Sequence, residues 1–212
     1  MMLPTARFPA SLTRRLALAL LGLGAAGCSG ALTSPQYLAY LADPAHGLTQ
    51  TQDVNGTTVT CGYRPPDLLV HQELATHDAA PTPALTDSLR RTYAGKLYCT
   101  LALARDSAEL EAAVSRDENA LTQTLSYLST GIAQDVYVRG LGQPDSTAAL
   151  AAAYTRQYGN TGRSTVLLVF ATPQLEVSRG FTLTYRDTQF GLGPVHFVFT
   201  AQALGRLPAL QL

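Results

Sequence analysis

Apolar and polar residues follow two different patterns along this chain. Residues 16–27 are an unbroken run of apolar and small residues, preceded by three arginines and no acidic residue. Farther along, the pattern changes to short segments that alternate or repeat at helical spacing. In the segment 96–105, for example, every second residue from Leu97 to Leu103 is apolar. Such alternation is typical of a strand with one buried face.

Turn and capping residues mark the ends of the predicted elements. Asn55-Gly56 is a tight-turn dipeptide between two segments rich in Thr and Val, and it predicts a β-hairpin. Pro and Gly end several other segments, as is usual at helix boundaries. The pattern predicts helices at 36–42, 67–75, 85–91, 108–113, 118–129, 147–158 and 201–207, and strands at 48–54, 57–63, 96–105, 132–139, 165–171, 180–186 and 196–200.

The order of these elements indicates the fold class. Helices and strands are interleaved in the first part of the chain, whereas strands follow one another near its end. This order favours an α+β domain with a mixed, partly antiparallel sheet and helices mainly on one face. We expect residues 34–212 to form this domain alone, because its length suits a single core.

The first 27 residues are predicted to be a signal peptide. They combine a positive start, an apolar run and small residues at the end. The run at 16–27 has 12 residues, and a helix that spans a bilayer needs roughly 20. We therefore expect the peptide to be removed rather than to serve as an anchor.

Ala25-Ala26-Gly27-Cys28 resembles the lipobox of bacterial lipoproteins, with Ala25 where leucine is usual. The resemblance implies that Cys28 becomes the N-terminus and carries a thioether-linked diacylglycerol and an acyl chain on its amine. Several acyl chains hold a protein firmly on a membrane. In such lipoproteins, an Asp directly after the cysteine retains the protein in the inner membrane. Because Ser29 stands at that position, the resemblance implies the outer membrane. Residues 28–33 would be a lipidated tether; the alternative is an ordinary signal peptide followed by chance by a cysteine.

Charge narrows the range of partners. Without the three leader arginines the chain has 12 basic and 15 acidic side chains, a net charge of −3. A chain with no basic excess is not expected to bind nucleic acid or anionic lipid through its surface. We therefore predict that the protein attaches to the membrane through its N-terminal lipid. A protein of the envelope is the other predicted partner.

Two further cysteines, Cys61 and Cys99, fall in predicted strands and on their apolar faces. An oxidising compartment permits a disulfide between them if the strands are neighbours. The alternative is a pair of buried free thiols that pack as small hydrophobic side chains.

No arrangement of residues predicts catalysis, a metal site or a cofactor site. His71 and His77 are six residues apart, whereas metal-binding histidines on one helix face are separated by three or four. His46 and His196 are interpreted as structural. The chain lacks a GxSxG motif, and it has no tryptophan, a common platform for sugars. A hydrolase or a small-ligand carrier whose site is not visible in the sequence remains the alternative.

Several segments together resemble a group of uncharacterised lipoproteins from bacteria with two membranes. The resemblance covers most of the mature chain and implies one domain behind a lipidated cysteine, without an established activity or a functional residue. It leads us to expect a non-catalytic lipoprotein with a role in protein interaction, envelope assembly or protection. The segments are 40–48, 54–56, 63–68, 165–170 and 187–194.

Overall fold

The computed structural model describes residues 30–77, 80–173 and 175–212, so the predicted signal peptide and Cys28 lie outside it. The helices are α1 (Ser34–Ala42), α2 (Pro66–Leu74), α3 (Pro83–Tyr93), α4 (Leu110–Ala113), α5 (Glu118–Ser126), α6 (Ile132–Asp135) and α7 (Ala201–Gly205). The strands are β1 (Thr49–Val54), β2 (Thr57–Tyr63), β3 (Lys96–Arg105), β4 (Ala108–Glu109), β5 (Val136–Gly140), β6 (Thr147–Ala148), β7 (Ala151–Tyr154), β8 (Ser164–Ala171), β9 (Gly180–Arg186) and β10 (Pro194–Thr200).

The predicted α+β class is confirmed, and the strands form two antiparallel sheets rather than one mixed sheet. The larger sheet has the order β1-β2-β3-β8-β7, with β4 paired to β3. The smaller sheet has the order β10-β9-β5-β6. The predicted hairpin is present: Asn55 and Gly56 both have positive φ, of 50° and 75°, as a tight hairpin turn requires.

The two sheets share one hydrophobic core. Strand β8 alternates strictly between buried and half-buried residues, and β10 alternates between buried and exposed ones. The inward side chains of both sheets belong to one buried cluster. Four aromatic residues of the smaller sheet are fully buried there: Phe181, Tyr185, Phe197 and Phe199. The period of two thus separates a large-residue inner face from an outer face on each sheet.

Side chains of β1 cover the free edge of β10. The Gln50 Nε2 donates to the Val198 carbonyl at 2.8 Å, and its Oε1 accepts from the Val198 N–H at 3.3 Å. The Gln52 Nε2 donates to the His196 carbonyl at 2.5 Å. Pro194 begins the same strand at an outward position of the edge, where a missing N–H costs nothing. One side of the two-sheet sandwich is therefore closed by amide side chains.

A single extended segment closes the opposite side. Residues 147–148 pair with β5 of the smaller sheet, and residues 151–154 pair with β8 of the larger one. Between them, the Ala149 N–H donates to the Val136 carbonyl and the Leu150 N–H to the Val169 carbonyl. The predicted helix at 147–158 is therefore wrong. Its alanines favour a helix, but pairing with the edges of two sheets overrides that local preference.

Residues 118–135 form an almost continuous helical segment against the core. A π-helical stretch, Tyr127–Gly131, joins α5 to α6. The chain becomes extended only at Val136, so the strand predicted at 132–139 begins four residues too early. Two other predictions need smaller changes: residues 108–109 are a short strand before α4, and the helical turn predicted at 85–91 is the eleven-residue α3.

Leu32, near the beginning of the described chain, is hydrogen-bonded to residues near the C-terminus. Leu32 forms a parallel bridge with Leu210, with its N–H donating to the Ala209 carbonyl at 2.8 Å. Both leucines pack in a second hydrophobic cluster around Tyr37 of α1. Leu32, which lies inside the predicted tether 28–33, is therefore in contact with the domain.

The glutamine bridge predicts a local change in stability. We expect Gln50→Ala to lower the free energy of unfolding by about 1–2 kcal/mol, since the amide loses its two hydrogen bonds to Val198 and a part-buried one to the Gly47 carbonyl. Amide hydrogen exchange of Val198 should speed up, because its N–H loses its acceptor. Thr51→Ala is the matched control, since that exposed side chain points to the other face and bonds only to Thr60. Unchanged exchange at Val198 in Gln50→Ala would contradict the bridge.

Candidate functional site

The outer face of the larger sheet contains a shallow trough. Its floor consists of Gly62, Ala102 and Ala104, small residues at alternate positions on β2 and β3, as their register shows. A Cβ added at Gly62 would lie 3.1 Å from the Thr100 Oγ1 and 3.3 Å from the Thr49 Oγ1. The glycine thus keeps open a space that an alanine methyl would crowd.

Hydroxyl groups surround this floor. Thr51, Thr60, Ala102 and Thr165 face one another across four neighbouring strands. Two adjoining cavities of about 240 and 390 Å³ lie over the trough and share Thr60, Ala102 and one arginine. We call this continuous concavity the threonine groove. Its hydroxyl residues are Thr49, Thr51, Thr58, Thr60, Thr100, Ser107, Thr161 and Thr165.

Helix α1 forms a wall at one end of the groove. Leu38, Leu41 and Ala42 line the smaller cavity. The Thr49 hydroxyl donates to the Leu41 carbonyl at 2.7 Å and so joins the end of α1 to β1. The wall is apolar, whereas hydroxyl groups surround the floor.

Arg64 stands at this end of the groove. It follows β2 and continues the outward positions of Thr60 and Gly62, and it lines the smaller cavity. Its backbone N–H donates to the Tyr98 carbonyl at 2.9 Å, which fixes the start of the side chain. Burial lowers the pKa of the guanidinium from its ordinary value. The cation is therefore held partly out of water.

Arg163 stands beside both cavities and is exposed. Within the described residues, neither Arg64 nor Arg163 has a carboxylate within ion-pair distance or a side-chain hydrogen bond. No described residue lining the two cavities is Asp or Glu. Asp53 is near one end, where its carboxylate accepts from the Thr58 hydroxyl at 2.6 Å. The groove therefore combines two unpaired cations with many hydroxyl groups.

A buried carboxylate holds the loop that carries Arg163. Glu109 is 2 % exposed. Its carboxylate accepts from the Gly159 N–H at 2.8 Å and from the Thr161 N–H and hydroxyl at 3.4 and 3.1 Å. Burial alone would raise the pKa of Glu109, but these hydrogen bonds and one with Glu111 outweigh it and lower the pKa. The charged form of Glu109 is thus the form that fits the loop.

Glu111 completes this polar cluster beneath the loop. Its carboxyl accepts from the hydroxyls of Tyr154 and Ser164, the latter at 2.5 Å. The Ser164 hydroxyl in turn accepts from the Leu110 N–H at 2.9 Å. Glu111 is 1 % exposed, so neither carboxyl can reach a substrate. The pair positions the groove and does not act as a general acid and base.

Both later cysteines are fully buried and side by side. Cys61 pairs with Leu101 and Cys99 with Tyr63, so the cysteines are diagonal neighbours on the inner face of β2 and β3. Both are free thiols in the structure. Burial first, and then a hydrogen bond with Cys99, raises the pKa of Cys61 well above its ordinary value. A thiol of this kind is a poor nucleophile.

The histidines do not form a catalytic group with the hydroxyls. His71 and His77 line one apolar cavity of about 380 Å³ beside α2, and His46 stacks on Tyr40 with ring centroids 3.7 Å apart. Among the described residues, the one hydrogen bond between an imidazole and a hydroxyl joins His196 to Thr184 at 3.0 Å, on the exposed face of the smaller sheet.

Two features are absent from the part of the chain that the structure describes. Over residues 30–77, 80–173 and 175–212, no group of three or more His, Cys, Asp or Glu side chains is arranged to hold a metal ion. In the same ranges, no helix has the length and apolar character needed to cross a membrane. The predicted lipidation at Cys28 lies outside the described residues.

The groove is the feature that the sequence analysis missed. Its signal was the alternation of Thr58, Thr60, Gly62 and Arg64 on the polar side of a strand whose apolar side was recognised. Nothing in that pattern shows that Arg163, a hundred residues farther along, borders the same cavity.

Comparison of the chain with protein-family models, with curated proteins and with solved structures gave no match.

The Glu109 cluster predicts a specific dependence of stability on pH. Its lowered pKa means that ionised Glu109 stabilises the fold above the ordinary value of 4.5, and that this contribution is lost as pH falls through the folded-state pKa. We expect Glu109→Gln to lower the free energy of unfolding by about 2 kcal/mol at neutral pH, the typical contribution of hydrogen bonds to a charged group. The difference from the wild type should shrink below pH 4.5.

Thermal unfolding between neutral and acidic pH checks this expectation. Asp87→Asn is the matched control, because Asp87 is exposed on α3 and lies outside the first turn of that helix, so this variant should show little difference at any pH. A constant difference between Glu109→Gln and the wild type over the whole range would contradict a role for the charge.

The two buried thiols predict slow alkylation. In the folded protein, without reductant, we expect no adduct of iodoacetamide at Cys61 or Cys99, since both are 0 % exposed. After unfolding, again without reductant, both should react, and intact mass spectrometry counts the adducts. A chain that unfolds without gaining adducts until a reductant is added would instead contain the disulfide.

Proposed function

We propose that this protein is a lipid-anchored, non-catalytic binding protein of the bacterial envelope, and that the threonine groove holds its ligand. The observation that carries the binding role is the groove itself. It is concave, it is lined by eight hydroxyl residues and two arginines, and its arginines have no partner of their own among the described residues. A half-buried charge without a partner, such as that of Arg64, destabilises a fold, so function is the usual reason for keeping it.

A binding role suits this groove better than catalysis. Hydrolysis by a nucleophile needs a Ser or Cys within hydrogen-bond distance of a base. The buried thiols and the buried Glu111–Ser164 pair are closed to a substrate. The groove's own hydroxyls are not bonded to an imidazole in the described chain; the Thr184–His196 pair lies on the other sheet.

The anchor is inferred from the residues at 25–28, with the outer membrane inferred from Ser29. Leu32 is already fixed to the C-terminal segment. Three residues separate it from Cys28, and the four steps from one Cα atom to the next can span at most about 14 Å. A lipid on Cys28 would therefore hold the end of the domain formed by α1 close to the membrane surface. The groove, of which α1 is a wall, would open near that surface.

The anchor is tested by labelling cells with a clickable fatty acid. We expect the wild-type chain to incorporate the label and to fractionate with outer membranes. Cys28→Ala should lose all label and leave the membrane fraction as a precursor or processed form. Cys61→Ser is the matched control and should be labelled like the wild type. Label that persists in Cys28→Ala would rule out this anchor.

A further inference from the structure

We propose that the threonine groove is an oxyanion-binding site, in which Arg64 and Arg163 hold a carboxylate, sulfate or phosphate group of a small polar ligand. The inference rests on the binding role proposed above and adds the chemical class of the ligand. Its basis is the set of side chains around one continuous concavity.

The charges of the groove are of one sign. Two guanidinium groups border the cavity of about 240 Å³. None of the described side chains that line it, or the adjoining cavity of about 390 Å³, is acidic. Elsewhere in the described chain, Arg90 and Arg179 are paired with the carboxylates of Asp67 and Glu176 at 3.1 and 3.7 Å. Arg64 and Arg163 thus lack a counter-ion at the place where space for one exists.

Arg64 gives the site its strength. A guanidinium presents several N–H donors in a planar fork that matches an oxyanion. Because Arg64 is half-buried, its field is less screened by water than that of a surface arginine. A bound anion would give the Arg64 guanidinium the hydrogen bonds that it loses when burial removes water.

The hydroxyls and the floor set the shape of the ligand. The Thr165 hydroxyl can donate one hydrogen bond and accept others, whereas Thr100 donates to the Gly62 carbonyl at 3.4 Å and Thr60 shares a hydrogen bond with Thr51 at 2.9 Å. Together these hydroxyls suit an anion or the hydroxyls attached to it. Gly62 leaves the depth that brings an anion against the sheet. The apolar wall of α1 suits the carbon skeleton of such a ligand. Asp53 beyond Thr58 repels anions, which places the charged group at the Arg64 end.

The position of Arg163 is itself held by an anion. Its loop is fixed by the hydrogen bonds from Gly159 and Thr161 to Glu109. The Glu109 carboxylate therefore keeps the second arginine at the groove without neutralising it, since no ion pair joins them. This arrangement leaves the charge of Arg163 available to a ligand.

Binding is measured by calorimetry and by thermal shift of the purified full-length chain. The probes are inorganic phosphate, inorganic sulfate and glucuronate, with glucose as the neutral counterpart of glucuronate. We expect at least one anion to bind and to raise the unfolding midpoint, and glucose not to do so. Preference for glucuronate would assign the anion to a carboxylate on a sugar; preference for phosphate or sulfate would assign it to an ester group.

Variants locate the site. Arg64→Gln and Arg163→Gln should each weaken binding by about tenfold or more, as expected for the loss of a charge-assisted hydrogen bond. Gly62→Ala should weaken it by filling the floor. Arg116→Gln, an exposed arginine away from the groove, is the matched control and should bind like the wild type. Without anion, the unfolding midpoint of Arg64→Gln should be unchanged or raised, because the replaced group had no partner.

Three results would overturn the inference, in distinguishable ways. If glucose binds as well as glucuronate and Gly62→Ala weakens both, the groove binds a ligand and only the oxyanion assignment is wrong. If no anion binds, or if the arginine variants bind like the wild type, the groove is not an oxyanion site. A folded Gly62→Ala that leaves all binding unchanged would remove the groove from the proposed function as well.

Discussion

The alternation of side chains on β2, β3 and β8 is the constraint on which the rest of the structure depends. Large apolar residues on the inner face pack against the second sheet and make the shared core. Because the period is two, the same strands must present their other residues outward. Under the groove those residues are small or hydroxylated, so the sheet that supports the core also forms the floor of the groove. A slip of one residue in register would exchange the two faces and destroy both.

Much of this arrangement could be predicted from local sequence. Asn55-Gly56 specified the hairpin, and the alternation in β3 specified its buried face. The segment 147–154 could not be predicted in the same way. Its alanines favour a helix locally, whereas its actual conformation is decided by pairing with β5, which precedes it in the chain, and with β8, which follows it. Local preference failed because pairing with strands of two different sheets outweighed it.

The candidate site shows the same division. Thr58, Thr60 and Gly62 could be placed on one face from their spacing alone. Arg64 and Arg163 line the same cavity because β8 lies beside β3 and because Glu109 holds the loop that precedes β8. Neither relation can be recognised from the residue at any single position of the sequence. Buried Glu109 and Glu111 likewise look like ordinary surface residues in the sequence, and only their hydrogen bonds with the loop and β8 show that they are interior.

The glutamine bridge from β1 to β10 has a consequence for how copies of this protein can meet. An open strand edge offers a row of N–H and C=O groups to any neighbouring chain, and crowding increases such encounters. Gln50 and Gln52 occupy that row with amides that imitate the missing strand. At the other side, the free edges belong to β6 and β7, of two and four residues, too short to template a growing sheet. These features oppose pairing between neighbouring molecules through β10, β6 and β7.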